Sequence, residues 1–226
     1  MDLVFYDFET TGKEPHWDQI LQVGATKVSK EFNEIDTFEF RSRLKPGLIP
    51  SPFALAVNNT DYAKLIKTEC SHYEMLRKIE DKFTKWSPSI FIGYNSINFD
   101  EEFLRNSLFR ALLDPYLTSR NNNNRADLLE LLRTVDFFFP DTINIPVNNK
   151  NKKTFKLDQI APANSITHFA HDALGDVIAT KQLAKLISQR KPTFWHSFLE
   201  GSNKSLVYKV LSEEKIVFFC QTFFGK

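Results

Sequence analysis

Four apolar and aromatic residues at positions 3–6, followed at once by Asp7, Phe8 and Glu9, constrain this chain more than any other stretch. The run reads as a buried β-strand. In a strand, residues i and i+2 share a face. Asp7 and Glu9 therefore leave the end of a core strand together, with Phe8 on the opposite face. At about 4 Å and an effective dielectric of ~20, two such charges repel by roughly 4 kcal/mol. If the strand end is not simply open to solvent, one carboxyl stays protonated or a cation sits between the two. Oxygen ligands alone favour Mg²⁺ or Mn²⁺.

The 226 residues are enough for one substantial core and a small appendage, and 42% hydrophobic with 25% charged residues is ordinary for a globular chain. Many of the 22 Phe must be core. A net charge of +1 means that any contact with nucleic acid comes from a local basic face rather than from the whole molecule. The densest basic stretch is Lys150, Lys152, Lys153 and Lys156. No apolar run approaches the ~18 residues needed to span a bilayer, and the N-terminus has no signal-peptide pattern. Cys70 and Cys220 are isolated and form no C-x-x-C, which suits a reducing cytoplasm.

Along the chain, 20–28, 34–41 and 89–94 read as further strands, and 52–58, 72–86, 100–113, 126–138 and 173–189 as helices. The Asn run at 121–124 reads as a solvent-exposed loop, and 140–153 as a longer irregular stretch. From 205 the composition turns β-rich, and 206–211 with 216–223 reads as a hairpin around 212–215. Strands first, then helices alternating with one more strand, predict an α/β fold with a mixed sheet flanked by helices.

Two more acids extend the first pair. Asp100 ends Gly93-Tyr94-Asn95-Ser96-Ile97-Asn98-Phe99-Asp100, and Asp176 ends His171-Asp172-Ala173-Leu174-Gly175-Asp176. The order is Asp-x-Glu, a later Asp, then a His five residues before a final Asp. It resembles the DEDD 3′→5′ exonucleases of the ribonuclease-H-like fold, in their histidine subclass; the tyrosine subclass would place Tyr where Asp172 stands. With Asp7-Phe8-Glu9-Thr10-Thr11-Gly12, Leu113-Asp114-Pro115-Tyr116, Asp127-Leu128-Leu129 and Phe155-Lys156-Leu157, the chain is similar to bacterial exonuclease I over roughly residues 2–200.

The resemblance implies a metal-dependent exonuclease that degrades single-stranded DNA to 5′-mononucleotides with two Mg²⁺ or Mn²⁺ ions. It implies that Asp7 bridges both ions, that Glu9 and Asp176 hold the ion that activates water, and that Asp100 assists through a water ligand. His171 would be the general base, its imidazole suited to proton removal near neutrality. Thr10, His16, Asn95, Phe99 and Lys156 are the expected substrate contacts: Thr10 at the terminal 3′-OH, Phe99 stacked on a base, Lys156 on phosphate. Two positions depart from the family pattern. Ser96 stands where many relatives have Asn, with Asn95 one residue earlier, and Phe139 stands before Pro140 where an Arg is usual. The expected organisation is an exonuclease domain over 1–200 and, over 201–226, the start of a small β-barrel that the chain leaves incomplete. A cytoplasmic monomer that also meets the tail of single-stranded-DNA-binding protein completes the expectation. The readings kept beside it are a related proofreading or RNA-trimming enzyme and a binding module that does not cut.

Overall fold

The computed structural model describes residues 1–58, 60–168, 172–214 and 216–217. Its strands are β1 (Asp2–Thr10), β2 (Ile20–Val28), β3 (Glu34–Arg41), β4 (Ser89–Gly93) and β5 (Asn124–Asp127). Its helices are α1 (Pro52–Val57), α2 (Tyr62–Leu65), α3 (His72–Trp86), α4 (Asp100–Arg110), α5 (Leu128–Phe138), α6 (Leu157–Ala163), α7 (Ala173–Arg190), α8 (Pro192–Gly201) and α9 (Lys204–Glu213). The strands form one sheet in the order β3-β2-β1-β4-β5. β1 runs antiparallel to β2 and parallel to β4, so the sheet is mixed as expected.

Alternation along β1 divides the core in two. Leu3 and Phe5 face a layer built from α5, α6, α7 and α8, with Leu132, Val135, Leu183 and Ile187 fully buried against them. Val4, Tyr6 and Phe8 face the other layer, where α3 supplies Met75, Leu76, Ile79 and Phe83, and α4 supplies Phe103, Leu104 and Leu108. Burying each such side chain contributes about 1.5–3 kcal/mol. Asp7 and Glu9 continue the odd-numbered face, so they project toward the α7 layer while Phe8 is 3% exposed in the opposite core.

β1 is longer than its parallel neighbour. The β1–β4 ladder ends at Phe5↔Ile92, whereas the β1–β2 ladder continues through Asp7↔Gly24 and Glu9↔Gln22. α7 crosses this extension closely. A Cβ on Gly24 would lie 2.5 Å from the Leu174 nitrogen and 2.6 Å from the Ala173 carbonyl carbon. Only a residue without a side chain lets the first turn of α7 rest on the strand directly opposite Asp7. Gly24→Ala should therefore lower unfolding stability by about 1–3 kcal/mol in urea titrations, through overpacking against backbone that cannot rotate away. A variant as stable as the wild type would mean that α7 does not rest on β2 in this way.

Four sequence readings need correction. Residues 204–213 form α9, not the first strand of a hairpin; Asn203 caps the helix by accepting from Ser205 and Leu206 N–H at 2.9 and 3.2 Å. The second strand of that hairpin, expected over 216–223, lies outside the described residues from 218 on. The Asn run is not an exposed loop throughout. Asn123 is 5% exposed, its Oδ1 accepts Ser89 N–H at 2.9 Å, and Asn124 opens β5. The helix read from 126 starts at Leu128, and helices α2, α6 and α8 lie in stretches where none was expected. No described helix is long and apolar enough to cross a membrane.

Candidate active site

One carboxylate oxygen from each of Asp7, Glu9 and Asp176 lies within 4.8 Å of the other two. Asp7 and Glu9 come from the β1 extension, and Asp176 from the first turn of α7. Asp100 opens α4 beside them. It is 2% exposed, and its Oδ1 accepts the Phe8 N–H at 2.9 Å. That bond satisfies an edge amide that β4, having ended at Gly93, cannot reach.

The α7 end is held by side chains from the far strands. Asp172 caps the helix by accepting Gly175 N–H at 3.1 Å. Gln22 of β2 donates to Asp172 at 2.9 Å, and Arg41 of β3 pairs with the same oxygen at 2.8 Å. Asp176 itself is hydrogen-bonded by the His168 imidazole, whose side chain is 3% exposed.

Charge crowding shows in the acids. Burial, then Asp100, Asp176 and Glu9, push the Asp7 carboxyl well above the usual range. Burial, then Asp176 and Asp172, push Glu9 up to about 8, against the opposing pull of Arg41. Burial pushes Asp100 well up too, although the Phe8 amide pulls the other way. An all-oxygen donor set of mutually repelling carboxylates, three of them converging, fits a hard divalent cation.

These upward shifts have a thermodynamic sign. The folded chain binds the protons more tightly than the unfolded chain, so the stabilisation is complete below the unfolded value of 4.5 and is lost as pH rises through about 8 for Glu9. Metal-free protein should accordingly melt at lower temperature at about pH 8 than at about pH 5. Mn²⁺ at about 100 times its Kd should add ~2.7 kcal/mol, a rise in Tm of roughly 5–10 °C, with a smaller rise at the acidic end. Melting curves that respond equally to metal at both pH values would contradict this account.

The expected substrate contacts separate into groups. Asn95 and Lys156 line one groove of about 640 Å³ with Arg133, His168 and Asp176. Asn95 adopts a left-handed φ of 61°, and its N–H donates to Asp127 at 2.9 Å. Asp127 also accepts from Ile97 and Leu129 N–H, so one side chain both caps α5 and shapes the loop after β4. Lys153 also borders the groove but pairs with Asp136 at 2.7 Å. Thr10 ends β1 instead, and His16 lies on the turn after it. The Thr10 hydroxyl donates to the Gly12 carbonyl at 2.6 Å, and His16 is bonded to Asn106 at 2.8 Å. Phe99 turns inward, its ring 4.8 Å from that of Phe103. Phe139 carries Lys191 over its ring at 4.5 Å. His171 and Cys220 lie outside the described residues. Sequence reasoning missed His168, Arg133, Gln22 and Arg41. A second His three residues before His171 was the available signal for the first.

A ribonuclease-H-like mixed sheet with an acidic, cation-fitting cluster at the end of its first strand defines the class of protein. The chain belongs to the exonuclease family RNase_T, which it matches over residues 4–184. Members of that family generally depend on divalent metal. Exodeoxyribonuclease I of Buchnera aphidicola subsp. Schizaphis graminum is 33% identical over 230 residues, covering 100% of this chain and 48% of that protein. Escherichia coli exonuclease I in complex with a dT13 oligonucleotide matches with a TM-score of 0.87 at 30% identity, over 92% of this chain and 45% of that one. An ExoI/SSB-Ct complex matches with a TM-score of 0.85 at 29% identity, over 92% and 45% of the two chains. The chain spans about half the length of the curated relatives it matches.

Proposed function

We propose that this chain is a 3′→5′ exonuclease that shortens single-stranded DNA to 5′-mononucleotides with two Mg²⁺ or Mn²⁺ ions. The observation that carries the reading is the convergence of Asp7, Glu9 and Asp176 within 4.8 Å, the last of which also lines the groove with Asn95, Arg133 and Lys156. Its agreement over the whole chain with exodeoxyribonuclease I supports DNA as the polymer. When bound, the cations supply an ionised water and neutralise charge at the scissile phosphate.

The chain's own residues do the rest. Asp7, Glu9 and Asp176 hold the cations, and Asp100, fixed on the Phe8 amide, completes the acidic wall. Lys156 offsets phosphate charge along the groove, beside Arg133, which pairs with Glu130 at 2.7 Å. His168 holds Asp176 in place, and His171 takes the proton from the attacking water. The tail of single-stranded-DNA-binding protein is the proposed partner, by likeness to the ExoI/SSB-Ct complex.

A time course with 5′-labelled single-stranded DNA, run beside single-stranded RNA and blunt duplex, tests the reading. A Mn²⁺-dependent ladder shortening from the 3′ end of the DNA is the expected result. Preferential shortening of RNA would move the chain to an RNA-trimming role. Binding without cleavage of any polymer would overturn the enzymatic reading.

A further inference from the structure

Two adjacent acids open α4, and they serve different partners. Asp100 accepts the Phe8 N–H of β1 at 2.9 Å. Glu101, 3% exposed, turns into the opposite core. Its Oε1 accepts the Tyr6 hydroxyl at 2.6 Å; its Oε2 accepts the Thr118 hydroxyl at 2.8 Å and the Arg125 guanidinium at 3.0 Å. The three donors come from β1, the connection between α4 and β5, and β5 itself. Burial, then Glu101 and Asp100, push the Tyr6 phenol well above its ordinary value, so it stays a donor.

This arrangement meets a mechanical need. Beyond Phe5↔Ile92, β1 has lost its β4 neighbour. The edge of the strand that carries Asp7 is then tied to α4 at the two flanking residues, Tyr6 through Glu101 and Phe8 through Asp100. Glu101 also links the start of α4 to donors outside β1. Arg125 and Thr118 anchor that start to the body of the sheet.

We propose that Glu101 is a positioning residue: by clamping the first turn of α4 to Tyr6, Thr118 and Arg125, it sets where Asp100 stands beside Asp7 in the acidic wall of the site that would hold the cations. It touches neither substrate nor reacting atoms. The inference rests on the nuclease reading of the site.

Tyr6→Phe and Thr118→Val test it, because each removes one hydroxyl from the same carboxylate and only the first breaks the link to β1. Three readouts decide: the Mn²⁺ concentration giving half-saturation of the metal-free protein, kcat against KM on single-stranded DNA, and exchange of the Phe8 amide by NMR relative to its β1 neighbours. Tyr6→Phe should raise the Mn²⁺ midpoint and lower kcat by about tenfold each, with KM within about twofold, and should speed Phe8 exchange selectively. Thr118→Val should lose comparable stability with much smaller changes in all three. Glu101→Ala should exceed Tyr6→Phe if it folds. A Tyr6→Phe protein with wild-type Mn²⁺ midpoint and Phe8 exchange overturns the proposal, as do equal effects from both hydroxyl deletions. If the wild type binds Mn²⁺ but cuts no DNA, the nuclease reading fails by itself, and metal midpoint and amide exchange still decide the role of Glu101. A wild type that neither binds Mn²⁺ nor cuts overturns both.

Discussion

Asp7→Asn should abolish cleavage of single-stranded DNA while making the metal-free protein more stable. Asp7 is the acid on which the others converge: burial, then Asp100, Asp176, Glu9 and Asp172, push its carboxyl up. Replacing it with a neutral side chain of the same shape removes the centre of that repulsion and one oxygen ligand. Losing cation-assisted stabilisation worth several kcal/mol corresponds to about 10³–10⁴-fold in rate. The stability gain should grow as pH rises and forces the wild-type acids to ionise, and should shrink toward pH 5. Single-turnover assays and metal-free melting curves at the two pH values measure both halves. A mutant less stable than the wild type without metal would show that Asp7 supports the fold rather than the chemistry. Activity within tenfold of the wild type would remove it from the site.

His171→Ala should lower kcat by roughly 10²–10⁴ while leaving the fold and Mn²⁺ binding intact. The comparison that gives this force is His168→Ala. His168 is the imidazole on Asp176, so its loss should act through the ligand, weakening Mn²⁺ affinity by about 10–100-fold and recovering in part at saturating metal. The two histidines are three residues apart, yet the expected signatures differ: one removes a proton acceptor, the other loosens a carboxylate. If His168→Ala costs more turnover than His171→Ala at saturating Mn²⁺, the base assignment moves to His168.

The expected acids are where sequence reasoning was strongest. Asp7 and Glu9 follow from strand alternation, and Asp176 from the resemblance carried by His171 five residues before it; the folded chain brings Asp7, Glu9 and Asp176 together. Strands β2 and β3 and helix α3 were legible because their apolar periods are clean. β5 was not: Asn124-Arg125-Ala126-Asp127 has no alternation, and it is a strand only because β4 offers a free edge. α9 was misread because Val207, Tyr208 and Val210 favour strands, although Leu206, Val207, Val210 and Leu211 recur at helical spacing. The supports of the site were invisible for another reason. Gln22 and Arg41 reach Asp172 across 150 and 131 residues of sequence, and no local pattern marks such a pairing.

That separation also has a kinetic meaning. Asp7 enters the chain with the first strand, and Asp176 only with the seventh helix, after every strand of the sheet has appeared. Contacts this distant in sequence are slow to close, because loop entropy is lost before they return any free energy. The carboxylate cluster should thus be among the last parts of the molecule to assemble. In refolding, the appearance of Mn²⁺ binding would then report the docking of α7 on Gly24, later than signals from the β1–β2–β3 hairpins, whose contacts are local.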